Sequence, residues 1–395
     1  MKFEMKTKAL RFLSDIQTGP FGSQLHKEDY VDDGTPIVTV EHLGNRVFTE
    51  QNLPRVSNED KQRLSKYILK EGDVVFSRVG SVDRCSFVDS QHTGWLFSGR
   101  CLRVRPFEEI SPLFLYYFFC LESTKKFIRN IAVGATMPSI NTKLMGEIEV
   151  SYPDKQVQEK IANLLGAIDD KIELNNAIND NLEQQAQAVF RQELLQNGEL
   201  PPNWTTGSLL DIADYLNGLA MQKFRPVDGE RGLPVLKIKE LRQGFCDYSS
   251  ELCSPNIKPE FIVHDGDVIF SWSGSLLVDL WCGGTCGLNQ HLFKVTSVKY
   301  PKWFYYTWTA HHLARFVAIA ADKATTMGHI KREDLAKAEV IIPDVASMER
   351  IGGVLQPIYD LVINQRIENR KLSMLRDSLL PELMSGELDV SAIEL

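Results

Sequence analysis

The 395-residue sequence is written twice, at an offset of about 190 to 198 residues, and this duplication constrains the fold more than any single motif. Pro36-Ile-Val-Thr-Val40 ahead of Leu43 returns as Pro234-Val-Leu-Lys-Ile238 ahead of Leu241. Gly72-Asp-Val-Val-Phe-Ser77, followed by Gly80-Ser81, returns as Gly266-Asp-Val-Ile-Phe-Ser271, followed by Gly274-Ser275. Pro112-Leu-Phe-Leu-Tyr-Tyr117 returns as Pro301-Lys-Trp-Phe-Tyr-Tyr306. Thr136-Met137 and Ile140, with Val150 and Pro153-Asp154, return as Thr326-Met327 and Ile330, with Val340 and Pro343-Asp344. Matched blocks in one order require two globular halves of the same design.

Each half reads as mixed α and β. Pro36 to Val40 alternates apolar and polar as a strand does, and Phe76-Ser-Arg-Val-Gly-Ser81 reads as a strand leaving through a glycine turn. Segments 113–120 and 302–310 carry aromatics on all sides and read as buried helices whose rings are core. After each Pro-Asp the pattern becomes helical. Asp154 and Asp344 are good N-caps, and the apolar steps of three and four (Val157, Ile161, Leu164, Ile168, against Ile351, Val354, Ile358, Leu361) continue for about five heptads. A helix from Asp154 to about Gln196 is roughly 60 Å long at ~1.5 Å per residue, too long for one half to bury. Each long helix is the simplest partner for the other, and a two-fold relation between like halves favours antiparallel pairing. Both turn polar midway, at Asn175-Asn176 and Asn364-Gln365, which reads either as a solvated patch or as a buried polar layer that sets register.

The reading is an α+β chain in four parts: a first globular domain 1–153, a central long helix 154–199, a second globular domain 200–343, and a C-terminal long helix with its tail, 344–395. Net charge is −8, distributed as +1 over 1–150, −5 over 151–200, 0 over 201–343 and −4 over 344–395. The acid sits on the helices, leaving each globular half free to carry a basic face. The apolar runs at 113–120 and 316–321 are far shorter than a membrane span, and seven scattered cysteines read as reduced thiols in a cytoplasmic protein.

Signatures of chemistry are few. The sequence lacks a Walker loop, a G-x-G-x-x-G, an H-E-x-x-H, and the Asn-Pro-Pro-Tyr or Phe-x-Gly-x-Gly of amino-methyltransferases. Pro153-Asp154 with Asp169-Asp170-Lys171 fits a loose nuclease pattern, but fifteen helical steps put the two carboxylates ~22 Å apart, too far to share a metal. Cys282-Gly-Gly-Thr-Cys286 with His291, and Cys246 or Cys253 upstream, forms one tight pair where a zinc site needs two, and reads as buried strand thiols. His311-His312 reads as structural.

The repeat and both helices, together with Gly19-Pro-Phe-Gly-Ser-Gln24, Gly134-Ala-Thr-Met-Pro138, Gln158-Glu-Lys-Ile161 and Ala167-Ile-Asp-Asp-Lys-Ile-Glu-Leu-Asn175, resemble the specificity subunit of type I restriction-modification enzymes across the whole chain. The second copy departs from the first at Trp272 for Arg78, Met348 for Gln158 and Glu333 for Lys143. The resemblance implies a non-catalytic reader of double-stranded DNA with two target recognition domains and an antiparallel helical spacer. It implies docking to two modification subunits and, through them, to restriction subunits. This chain itself would hold no cofactor; S-adenosylmethionine, ATP and Mg would belong to those partners, and no membrane is involved.

Thr39 against Lys237, Glu41 against Lys239 and Arg78 against Trp272 give the shared scaffold two different polar surfaces, so the expected target is asymmetric and bipartite. For the DNA face the candidates in the first half are Ser23, Gln24, Lys27, Arg78, Ser81, Arg84, Thr136, Ser139 and Lys143. In the second half they are Gln222, Lys223, Arg225, Lys237, Lys239, Trp272, Ser275, Gln290, Thr326 and Lys331. Arginine suits guanine and glutamine suits adenine, while serine, threonine and lysine suit phosphate. The alternative is a coiled-coil scaffold whose globular halves bind protein or peptide.

Overall fold

The computed structural model describes residues 4–20, 22, 24–195, 200–322 and 329–390, and divides into two units, Met1–Asp170 with Ser373–Leu395 and Lys171–Leu372. The repeated Gly-Asp block builds the centre of each. Asp73 accepts the Lys70 amide at 2.8 Å, closing a turn, and grips Arg105 of the neighbouring strand at 2.6 Å. Asp267 accepts the His264 amide at 2.9 Å and grips Lys294 at 2.8 Å. From these turns run the strands Val74–Ser77 and Val268–Ser271, buried along their whole length.

Their side chains alternate between two cores. Val74 and Phe76 pack with Phe114 and Phe119, and Val75 packs with Ile37, Val38 and Phe97. In the second unit Val268 and Phe270 join Trp303 and Phe304, while Ile269 joins Leu236 and Leu288. A strand covered on both faces needs an unbroken apolar run, which is what the repeated block supplies. Gly80 and Gly274, in the turns that follow, hold φ of +74° and +65°, where any side chain would be strained.

Around each central strand the sheets repeat. Ser14–Thr18, Cys101–Pro106, Val74–Ser77 and Cys85–Phe87 form an antiparallel sheet in that order, as do Asp214–Asn217, Leu292–Thr296, Val268–Ser271 and Leu277–Leu280. A smaller sheet in each unit contains one parallel pair, Val38 beside Phe97 and Leu236 beside Leu288. A third ladder joins the start of each copy to the residues ahead of its long helix, Lys6–Ala9 with Glu149–Tyr152 and Thr205–Ser208 with Glu339–Ile342. The aromatic segments are helices, Pro112–Cys120 and Lys302–His311, with Phe114, Leu115, Trp303 and Phe304 in the cores.

The long helices run Lys155–Leu194 and Val345–Ser385. Asp154 caps the first by accepting the Val157 amide at 3.1 Å, and Asp344 caps the second by accepting the Ser347 amide at 2.8 Å. The pairing is antiparallel in each unit. In the second, Asn175 lies against Glu368 and Asn369, and Glu193 against Arg350; in the first, Asp169 meets Arg376. The polar midsection is buried only in part, at Asn175 and Asn179, while Asn176 and Asn364 are exposed. Asn175, fully buried, donates to Glu368 and Asn369 at 2.8 Å each, and Asn369 donates to Asn176 at 2.8 Å. The Oδ1 atoms of Asn175 and Asn179 have no partner among the described residues, a cost in stability that goes with specifying register.

Candidate nucleic-acid interface

Three loops meet beside the central strand of the first unit. The Arg78 amide donates to Arg100 O at 2.8 Å, the Ile140 amide to Arg78 O at 3.0 Å, and the Gly80 amide to Pro138 O at 2.8 Å. Ser139 closes the set through backbone bridges to Val79 and Val133. This lacing brings the backbone at Arg78 beside Ser139, with Ser81 and Thr136 following on the same two loops; Ser81 and Thr136 are exposed, Arg78 and Ser139 half-buried. The Arg78 guanidinium donates to Gly99 O at 3.2 Å.

The other first-half candidates lie apart from that set. Gln24 Oε1 accepts from the Tyr67 hydroxyl at 2.7 Å. Arg84 is exposed and donates to Leu43 O. Lys143 is exposed on the short helix Thr142–Gly146, capped by Asn141. Lys27 stands in the turn Lys27–Asp29, its side chain outside the described set, and Ser23 and Thr326 lie outside the described residues.

The second unit repeats the lacing with different side chains. The Trp272 amide donates to His291 O at 3.4 Å and the Ile330 amide to Trp272 O at 3.0 Å, matching the bonds of Arg78. The Trp272 indole donates to Asn217 Oδ1 at 3.0 Å, and its ring sits 6.0 Å from His291 and 5.5 Å from His329. Gln290 lies at the same turn, 3.3 Å from His291 Nε2, and Ser275 is exposed beside it in sequence order after Gly274. Gln222 and Lys223 are exposed on Met221–Lys223, and Lys331 is exposed ahead of Arg332–Ala336. The remaining cations are internally paired. Arg225 meets Glu251 at 3.0 Å, Lys237 meets the same carboxylate, and Lys239 reaches Ser249 Oγ at 2.9 Å and Asp247 at 3.4 Å. The Lys237 ammonium holds the Glu251 carboxyl below its ordinary range.

Sequence reasoning passed over a cleft of the first unit. This cleft, of about 600 Å³, is lined by Thr39, Glu41, Ser98, Gly99 and Arg100 among others. Its wall is a close backbone contact: a Cβ on Gly19 would stand 2.1 Å from Ser98 O. Arg100 falls outside every repeated block, so only the pairing of the Leu96–Phe97 strand could have brought it forward.

The carboxylates of the nuclease-like pattern are occupied otherwise. Asp154 caps the first long helix, and Asp169, 5% exposed, accepts from the Tyr117 hydroxyl at 2.7 Å and from Arg376 at 2.7 Å. Cys282, Cys286 and Cys253 are buried in three different cores, and burial pushes the Cys282 thiol up to about 11. His312 bonds the Glu339 carbonyl at 2.8 Å. Among the described residues no three His, Cys, Asp or Glu side chains converge as metal ligands, and no helix is long and apolar enough to cross a membrane.

Residues 4–184 match the family model described as the type I restriction modification DNA specificity domain. The type I restriction enzyme MjaIX specificity subunit of Methanocaldococcus jannaschii is 26% identical over an alignment covering 98% of this chain and 94% of that one. The HindI specificity subunit of Haemophilus influenzae is 22% identical, covering 84% of this chain and 90% of that one. Among solved structures, the S subunit of the type I restriction-modification system of M. genitalium shares the fold, with a TM-score of 0.63, 14% identity and 96% of each chain covered. Residues 4–184 thus resemble the DNA specificity domain of type I restriction-modification systems, and nearly the whole chain is similar to specificity subunits of those systems.

Proposed function

We propose that each unit reads one half of an asymmetric, bipartite DNA target and that the paired helices set the gap between the halves and dock two modification subunits. The observation that carries this reading is the matched lacing of Arg78 and Trp272, one backbone position in two copies of a scaffold holding two unlike side chains. A scaffold duplicated to read one half-site twice would keep the side chains as well as the backbone.

In this reading the chain is non-catalytic and cytoplasmic. S-adenosylmethionine, ATP and Mg serve the modification and restriction subunits, and the chain contributes the address. Arg78, Ser81, Thr136 and Ser139 in one unit, and Trp272, Ser275 and Gln290 in the other, are the supported members of the DNA face. Arg225, Lys237 and Lys239 are paired to acids and must exchange those partners for phosphate to take part.

The experiment is a gel shift of duplex pools with modification subunits present. The reading predicts enrichment of one bipartite sequence. Equal binding of all duplexes, or none, would leave the scaffold reading in its place.

A further inference from the structure

The cleft of the first unit supports a sharper assignment, which rests on the DNA reading above. In the small sheet Val38 and Phe97 are neighbours on parallel strands. Two chains leaving one sheet edge side by side present residues at equal distances beyond it, and the third residue after each is Glu41 on one and Arg100 on the other. Both are exposed and both line the cleft.

Their backbones are held firmly. On the arginine side, Ser98 N donates to Val38 O at 2.8 Å, and Arg78 ties down Gly99 O through its side chain and Arg100 O through its amide. On the glutamate side, the Thr39 amide donates to Nδ1 of buried His42 at 3.0 Å, which leaves Nε2–H to donate to Gln51 O at 3.1 Å. The turn Val40–His42 is thereby fixed.

Their side chains, by contrast, are uncommitted. Glu41 accepts only the Thr39 hydroxyl, at 3.2 Å, and Arg100 makes no side-chain hydrogen bond or ion pair among the described residues. Other arginines of this unit are used internally: Arg63 bonds Asp60 and Gln24 O, Arg84 bonds Leu43 O, and Arg55 bonds Gly34 O. A firmly held turn carrying an unpaired guanidinium, beside one carrying a carboxylate bonded only to its neighbour's hydroxyl, places a donor and an acceptor on pre-organised backbone.

We propose that Glu41 and Arg100 are specificity-determining residues of the first unit, reading a cytosine–guanine step in the major groove. Arg100 takes guanine O6 and N7, and Glu41 accepts from the cytosine 4-amino group. The second unit differs at the equivalent positions. Counting three residues past the parallel neighbours Leu236 and Leu288 gives Lys239 and His291, both already bonded, to Ser249 and to Ser273. The free donor and acceptor pair of the first unit is thus replaced in the second by side chains held internally.

The test uses the full chain with its modification subunits and a randomised duplex pool, sequenced after selection. Arg100→Ala should relax one guanine position by ~5–150-fold, within one half-site only. Arg100→Lys, which keeps the charge and loses the fork, should relax the same position with the salt slope of binding unchanged. Glu41→Gln should move a cytosine preference toward adenine. If Arg100→Ala instead weakens all sequences equally and lowers the salt slope by about 1, Arg100 holds a phosphate and the proposal falls while the DNA reading stands. If the unaltered complex selects no sequence, the DNA reading falls with it.

Discussion

Asp169 and Arg376 allow the two copies to test each other. In the first unit Asp169 is buried and satisfied by Tyr117 and Arg376 at 2.7 Å each. With the helices aligned at their Pro-Asp caps, the second unit has Tyr359 for Asp169 and Ala186 for Arg376, and packs Tyr306 against Tyr359 with ring centroids 5.1 Å apart. One site is thus built once from an ion pair and once from rings. Removing one partner of a buried pair leaves the other desolvated, at a cost of ~3–5 kcal/mol, whereas replacing both by a packed apolar group is far milder. Asp169→Ala should therefore destabilise the first unit by ~3–5 kcal/mol. Asp169→Tyr with Arg376→Ala, which transplants the second unit's solution, should cost at least ~2 kcal/mol less than the sum of the two single changes. Native-state hydrogen exchange across Pro112–Cys120 reports this locally, the single change lowering protection by about a hundred- to several thousand-fold. Additive single and double effects, or a loss below ~1 kcal/mol for Asp169→Ala, would refute the claim that Asp169 is held by a coupled buried pair.

His312 carries a pH prediction. Burial depresses its pKa below the ordinary value near 6.5, so the folded chain holds it neutral, with its imidazole bonded to Glu339 O. The unfolded chain binds the proton first, so stability is intact above ~6.5 and falls as pH drops through 6.5 toward the lowered folded value. His312→Gln should flatten unfolding curves of the second unit between about pH 7 and 5; an unchanged slope would contradict the assignment. The helices carry a spacing prediction. Removing one heptad from each shortens the pair by ~10 Å, and with DNA advancing ~3.4 Å per base pair the gap in the modified sequence should shrink by up to about three base pairs. An unchanged gap in an active variant would assign the spacing to the partner subunits.

The duplication was legible because its strongest blocks do structural jobs that few residues can do. Asp73 and Asp267 each close a turn and hold a cation on the next strand, and Gly80 and Gly274 each take a positive φ. The helix starts were legible for the same reason, since Asp154 and Asp344 are the caps. The polar layer was legible only in outline. Asn175 pairs with Asn369 rather than with Asn364 or Gln365, because register between two antiparallel helices depends on both surfaces and not on the periodicity of either. Short strands such as Tyr30–Val31, Arg55–Val56 and Leu96–Phe97 carry no alternating run, so the small sheet and the cleft beside it were not visible. Arg78 stood out as a basic residue in a repeated turn, yet whether its guanidinium faces Gly99 O is decided by a turn brought close only by folding.

The central claim is that the two units read independently, each addressing its own half of the target. Its most direct test replaces residues 201–343 with the corresponding segment of a relative and maps, by methylome sequencing of cells carrying the modification subunits, the sequence that becomes modified. The account predicts that one half of the recognised sequence changes and the other half and the gap stay as they were. A change in both halves of an active, folded hybrid would contradict it.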